Sequence, residues 1–162
     1  MQNRFKTKHF IILTVRRLDE KKGYEFLEHT ADAYVAAYGK DLAEAFENAA
    51  VAMFDVMTEV EKVSSKVEDS VEAKGEDEYS LLYDWLEALL IKSETSRMLY
   101  SRFKILYIRK SAKGLKLQAR ILGEKFNPKK HLQKVGVKAV TYHRMEIVKK
   151  TGKVTLKFIL DI

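Results

Sequence analysis

Two segments of helical period, 41–60 and 78–94, each flanked by segments of alternating period, constrain the fold more than any other feature of the chain. In the first, Leu42, Ala45, Phe46, Ala49, Met53, Phe54 and Met57 recur at helical spacing behind Asp41, a ready N-cap. Glu44 and Glu47 stand early, where the helix N-terminus favours acids. In the second, opened by Glu76 and Asp77, Leu81, Leu82, Trp85, Leu86, Leu89 and Leu90 form one apolar stripe along roughly 25 Å of helix. These stripes are core faces, and Trp85 is a packing residue. Alternation over 63–73, with Val67 and Val71 facing away from Lys66, Glu68, Ser70 and Glu72, marks a half-exposed strand. Further strands follow at 103–109, 115–121, 136–148 and 153–162, with turns at Lys113-Gly114 and Thr151-Gly152. On the last strand Val154, Leu156, Phe158 and Leu160 share the core face, which leaves Asp161 on the other. The order predicts an α+β fold: one two-layer domain, mostly antiparallel sheet, with two main helices packed on one face.

A chain of 162 residues suits a single domain, and one Pro with seven Gly leaves no linker on which to divide it. The absence of Cys excludes disulfides and thiolate metal sites and fits a reducing, cytoplasmic setting. Residues 1–22 form a basic N-terminal extension around the apolar run Phe10 to Val15. That run is too short to span a bilayer and lacks the pattern of a secretory signal, so the extension reads as an added edge strand or the product of an upstream start codon. No Walker A run and no Gly-x-Gly-x-x-Gly occurs, so a nucleotide-dependent enzyme is unsupported. Charge is segregated: +5 over residues 1–22, −13 over 23–96 and +15 over 97–162. A basic C-terminal half invites an acidic partner or RNA backbone, although Lys-rich strand faces are also ordinary solvated surface.

Chemistry concentrates in Tyr24 to Gly39, where Glu28, His29, Thr30 and Asp32 crowd between two apolar runs. Such a corner can brace a turn, move a proton or bind a cation. At the other end, Asp161 adjoins the carboxylate of Ile162, so two acceptors stand together. If the corner folds beside that end, Asp32, Asp161 and Ile162 supply hard oxygen ligands suited to calcium or magnesium, whereas zinc would want more imidazole or sulfur. Lys138 to His143 reads Lys-Ala-Val-Thr-Tyr-His, and on a regular strand Lys138, Tyr142 and Arg144 share one face while Thr141, His143 and Met145 share the other. His143, flanked by Met145 and Ile147, reads as a hydrogen-bonded core residue. Before this motif, the Lys-rich stretch from Gly123 through Asn127-Pro128 and His131 reads as a bulge or a mobile loop.

Three of these features resemble the archease family: His29-Thr30-Ala31-Asp32 followed by an amphipathic helix, the Lys138–His143 motif, and a chain stopping at Asp161-Ile162. The resemblance covers Gly23 to Ile162. It implies a protein that is not itself an enzyme but activates the RtcB-type RNA ligase of tRNA splicing, promoting its guanylylation and repeated turnover and widening its nucleotide use. It also implies a divalent cation, calcium before magnesium or manganese, on Asp32, Asp161 and Ile162, with Lys138 and His29 on the functional surface. Three rival readings of the residues remain: a stand-alone metal-dependent phosphoester hydrolase with His29 or His143 as base, a basic RNA-binding or chaperone-like module, and a globular interaction domain with no bound ion. Direct RNA contact is compatible with the first reading but not required by it.

Overall fold

The structure, a computed structural model, describes residues 23–162, so the expected edge strand in residues 1–22 lies outside the described residues. In chain order the elements are β1 (Tyr24–Leu27), β2 (Ala33–Gly39), α1 (Leu42–Met57), a 3-10 turn (Val60–Lys62), β3 (Val67–Gly75), α2 (Glu78–Ser96), β4 (Met98–Ser111), β5 (Gly114–Lys125), β6 (Ala139–Lys150) and β7 (Lys153–Asp161). The α+β class, with two main helices and antiparallel strands, is as the sequence predicts.

The strands divide into a four-stranded sheet in the order β1-β2-β7-β6 and a three-stranded sheet in the order β3-β5-β4. Side-chain alternation fixes which face of a strand is buried but not which strand it pairs with, so this division was not visible in the sequence. Each helix touches both sheets: α1 packs on β2, β7 and β4, and α2 on β3, β4, β5 and β6. One continuous core results, holding Phe46 and Phe54 of α1, Trp85 and Leu89 of α2, Leu117 and Ile121 of β5, and Leu156 and Phe158 of β7. Each fully buried side chain of that size contributes about 1.5–3 kcal/mol.

Local chemistry sets the helix boundaries. Asp41 caps α1 by accepting the Glu44 N–H at 2.8 Å, and Asp77 caps α2 in a reciprocal box with Ser80. Arg97, in the left-handed region at φ 54°, closes α2 and returns its N–H to the Ser93 carbonyl. The Trp85 indole N–H donates to the Phe46 carbonyl at 3.0 Å, tying α2 to α1. At the β6–β7 turn Gly152 adopts φ +73°, a conformation a side chain would strain. Val67, at the start of β3, is 44 % exposed, whereas Val71 on the same face is buried. Among the described residues no helix is long and apolar enough to cross a membrane.

Candidate functional site

Strand register decides where the chemistry-bearing residues fall. Strand β2 runs antiparallel to β7, pairing Ala33 with Leu160 and Tyr34 with Ile159. The next position in that register sets Asp32 opposite Asp161, and cross-strand partners point to the same face. On the other side of β7, β6 pairs Ala139 with Asp161, and the Lys138 N–H donates to the Asp161 carbonyl at 2.7 Å. Residues 32, 138, 161 and 162 therefore meet at one end of the four-stranded sheet, although more than a hundred positions separate the first from the others.

The electrostatics of this end are those of an open set of acceptors. Among the described residues, neither the Asp32 nor the Asp161 carboxylate accepts a hydrogen bond or forms an ion pair, and the same holds for the Lys138 ammonium. Asp32, Asp161 and Ile162 are half-buried and Lys138 is exposed. By alternation Lys138 falls level with Ile162, on the face opposite Asp161, so its backbone is fixed against the tip while its side chain stands at the edge. His29 sits over the same corner with its ring edge-on to Tyr34, centroids 6.0 Å apart. Its Nδ1 is buried with no hydrogen-bond partner among the described residues. No group of three or more His, Cys, Asp or Glu side chains among the described residues is arranged to hold a metal. The tip offers two such side chains beside the main-chain oxygen of Ile162, an all-oxygen set suited to a hard cation that keeps part of its water shell.

The Lys138–His143 motif leads into β6, which departs from a regular strand. Pairing to β7 is regular through Thr141, breaks, and resumes at Glu146, with Arg144 at φ 55° inside the break. This bulge corrects the expected face assignment beyond Thr141. His143, expected in the core, is exposed, and Tyr142 turns out to stack on Tyr83 of α2 at 4.4 Å.

A second constellation, which sequence reasoning missed, lies behind the tip. Glu124 near the end of β5 is only 6 % exposed. Its Oε1 takes the Ser64 N–H at 3.1 Å, lies 2.7 Å from His131 Nε2 and pairs with Lys130; its Oε2 lies 3.4 Å from Lys66. Burial would push its pKa up, but hydrogen bonds from Lys130, the Ser64 N–H, His131 and Lys66 outweigh it and bring the group down to about 2. His131 Nδ1 accepts the Asn127 N–H at 2.9 Å, so the ring proton sits on Nε2 and donates to Glu124. The stretch expected as a bulge or mobile loop is thus pinned at both ends, since Lys134 also donates its N–H to the Met57 carbonyl at 2.9 Å and its ammonium to the Asp55 carbonyl at 2.9 Å. Glu124 stands on a strand and His131 on the loop after it, so no single periodic pattern relates them and only the folded loop shows the pairing.

Comparison with known proteins covers the same span. The profile of the archease protein family matches residues 24–162. A protein archease from Sulfurisphaera tokodaii is 47 % identical over 139 residues, covering 86 % of this chain and 98 % of that one. One from Methanothermobacter thermautotrophicus is 46 % identical, covering 87 % of this chain and 99 % of its own. The solution structure of Methanobacterium thermoautotrophicum protein 1598 superposes with a TM-score of 0.77 at 46 % identity, covering 87 % of this chain and 99 % of that one. The crystal structure of a Thermotoga maritima protein, described as an archease and possible chaperone, shares the fold at a TM-score of 0.56 and 16 % identity, covering 84 % and 94 % of the two chains.

Proposed function

The chain belongs to the archease family, and we propose that it is a protein activator of an RtcB-type RNA ligase in tRNA splicing, supporting guanylylation of the ligase, repeated turnover and broader nucleotide use in the cytoplasm. The observation that carries this reading is the convergence at one sheet end of residue 162, the Lys138 backbone and two carboxylates that have no partner among the described residues.

In this proposal Asp32, Asp161 and Ile162 hold a divalent cation, calcium before magnesium or manganese, because the donors are hard oxygens. Such an ion, when bound, neutralises the carboxylates and polarises phosphate oxygens presented to it. The protein's own residues prepare that event. The Lys138 N–H fixes the Asp161 carbonyl and so orients the terminal dipeptide. The Lys138 ammonium, without a carboxylate partner among the described residues, is a point charge available to a phosphate or carboxylate of the partner. His29 flanks the tip with an unpartnered nitrogen.

The deciding assay is repeated ligation by the cognate ligase with and without this protein in defined metals. The proposal expects wild type to raise turnovers per ligase and folded Asp32→Ala, Asp161→Ala and Lys138→Ala to lose most of that effect. Wild-type stimulation by all three would overturn it. Phosphoester hydrolysis by the protein alone would favour the hydrolase reading instead.

A further inference from the structure

A crevice of about 210 Å³ opens between the end of α1 and the pinned loop that precedes β6. Met57, Leu99, Phe126, Leu132 and Val135 give it apolar walls, and Thr58 adds a hydroxyl. Three observations set it apart from ordinary surface. Leu132 and Val135 are 54 % and 47 % exposed although they lie on a loop held by buried polar contacts, so the fold spends Glu124, His131 and Asp55 on presenting two apolar side chains to solvent. Thr58 is 2 % exposed, yet its Oγ1 has no hydrogen-bond partner among the described residues, so the crevice wall holds an unmet polar group beside its apolar lining. Finally, Val135 is three residues from Lys138, at most about 11 Å along the chain, so the crevice adjoins the carboxylate tip.

We propose that this crevice is the anchor point for a partner protein, receiving one large apolar side chain from an acidic segment of that partner. Volume selects the occupant: drug-sized or nucleotide-sized ligands need about 300 Å³ or more, whereas a cavity of about 150 Å³ already takes a benzene ring. One aromatic or aliphatic side chain fits; a nucleotide does not. Charge selects its surroundings. Residues 125–145 contain six Lys and Arg and no Asp or Glu. Lys130 and Lys134 are engaged with Glu124 and Asp55, while the ammonium groups of Lys129 and Lys138 have no carboxylate partner among the described residues. An acidic flank would meet both, and a backbone N–H or carbonyl of the same segment could satisfy Thr58. The apolar walls favour a protein over a nucleic acid, which would use phosphate contacts and stacking instead. The anchor would give the tip its register on the partner, with the apolar contact supplying affinity and the polar tip supplying effect.

The identity of the partner rests on the function proposed above, so the experiment separates the two. Binding of the full chain to the cognate ligase is measured by titration calorimetry at two salt concentrations, alongside stimulation of ligation, for wild type, Leu132→Asp, Val135→Asp, Leu132→Met and Asp161→Ala. Both Asp variants should keep the wild-type Tm, because the replaced side chains are exposed, yet bind the ligase about tenfold or more weakly. Leu132→Met should bind as wild type, and wild-type affinity should fall with salt. Unchanged ligase affinity in both Asp variants, with stimulation still lost in Asp161→Ala, would overturn the crevice and leave the activator reading intact. A wild type that neither binds nor stimulates the ligase would overturn both. A parallel titration with a single-stranded RNA oligonucleotide gives the remaining arm, and Asp variants that lose RNA affinity while keeping ligase affinity would overturn the protein anchor.

Discussion

Two places in this molecule combine carboxylate, imidazole and lysine, and they are built in opposite ways. Around Glu124 every acceptor is answered from within: Lys130, Lys66, His131 and the Ser64 N–H converge on one buried carboxylate. At the sheet end, Asp32 and Asp161 stand on one face with no donor among the described residues, His29 Nδ1 has no partner among them and Lys138 is exposed. The same residue types therefore make a clasp in one case and a receptive surface in the other. What separates them is saturation. A buried carboxylate must be paired to be tolerated, and once paired it has no lone pairs left for a ligand. Half-buried acceptors that remain unpaired are affordable only because water, or a cation with its water, completes them.

The largest effect expected from breaking this contrast is on the clasp. Glu124→Ala leaves His131 and two lysines without their acceptor and should cost about 3 kcal/mol in urea unfolding. The lower end of the range for buried pairs applies because Lys66 and Lys130 are 69 % and 39 % exposed and can return to water. Acid dependence sharpens the same point. Because the Glu124 pKa is depressed to about 2 in the folded protein from an ordinary 4.5, its contribution is fully present above about pH 4.5 and is lost as pH falls toward 2. Wild type should therefore lose more stability than Glu124→Gln between pH 5 and pH 3, as measured by denaturant midpoints. Equal losses would detach the clasp from acid unfolding.

At the tip, expected changes in stability are small and changes in function large. Lys138→Ala should lower stimulation of the ligase about tenfold, the weight of one charge-assisted contact, while its Tm stays unchanged. Asp161→Asn should alter stability by less than about 0.5 kcal/mol, because no partner among the described residues loses a bond. A destabilisation near that of Glu124→Ala would show the tip to be a second clasp.

Much of this was legible before any coordinates. Asp41 and Asp77 cap the helices that the Leu, Phe and Met stripes announce, and the alternation of Val154 to Leu160 places Asp161 off the core face. Asp32, Asp161 and Lys138 were nameable only by resemblance, since nothing local to residue 32 specifies residue 161 as its neighbour; that is a property of strand pairing. The division into two sheets escaped for the same reason, because period-two alternation reports a face and not a partner. The β6 bulge at 142–145 escaped because Tyr142 pairs in stacking with Tyr83, a contact across elements that no window of the sequence contains. Glu124 ends a strand while His131 lies on the loop after it, so no one period connects them.

The most direct measurement is a calcium titration of the isolated chain by calorimetry. The account predicts binding by wild type and by Glu124→Gln, with affinity lower by about 100-fold in Asp32→Asn and in Asp161→Asn. Binding that is absent from wild type, or that survives both Asn substitutions, would contradict it.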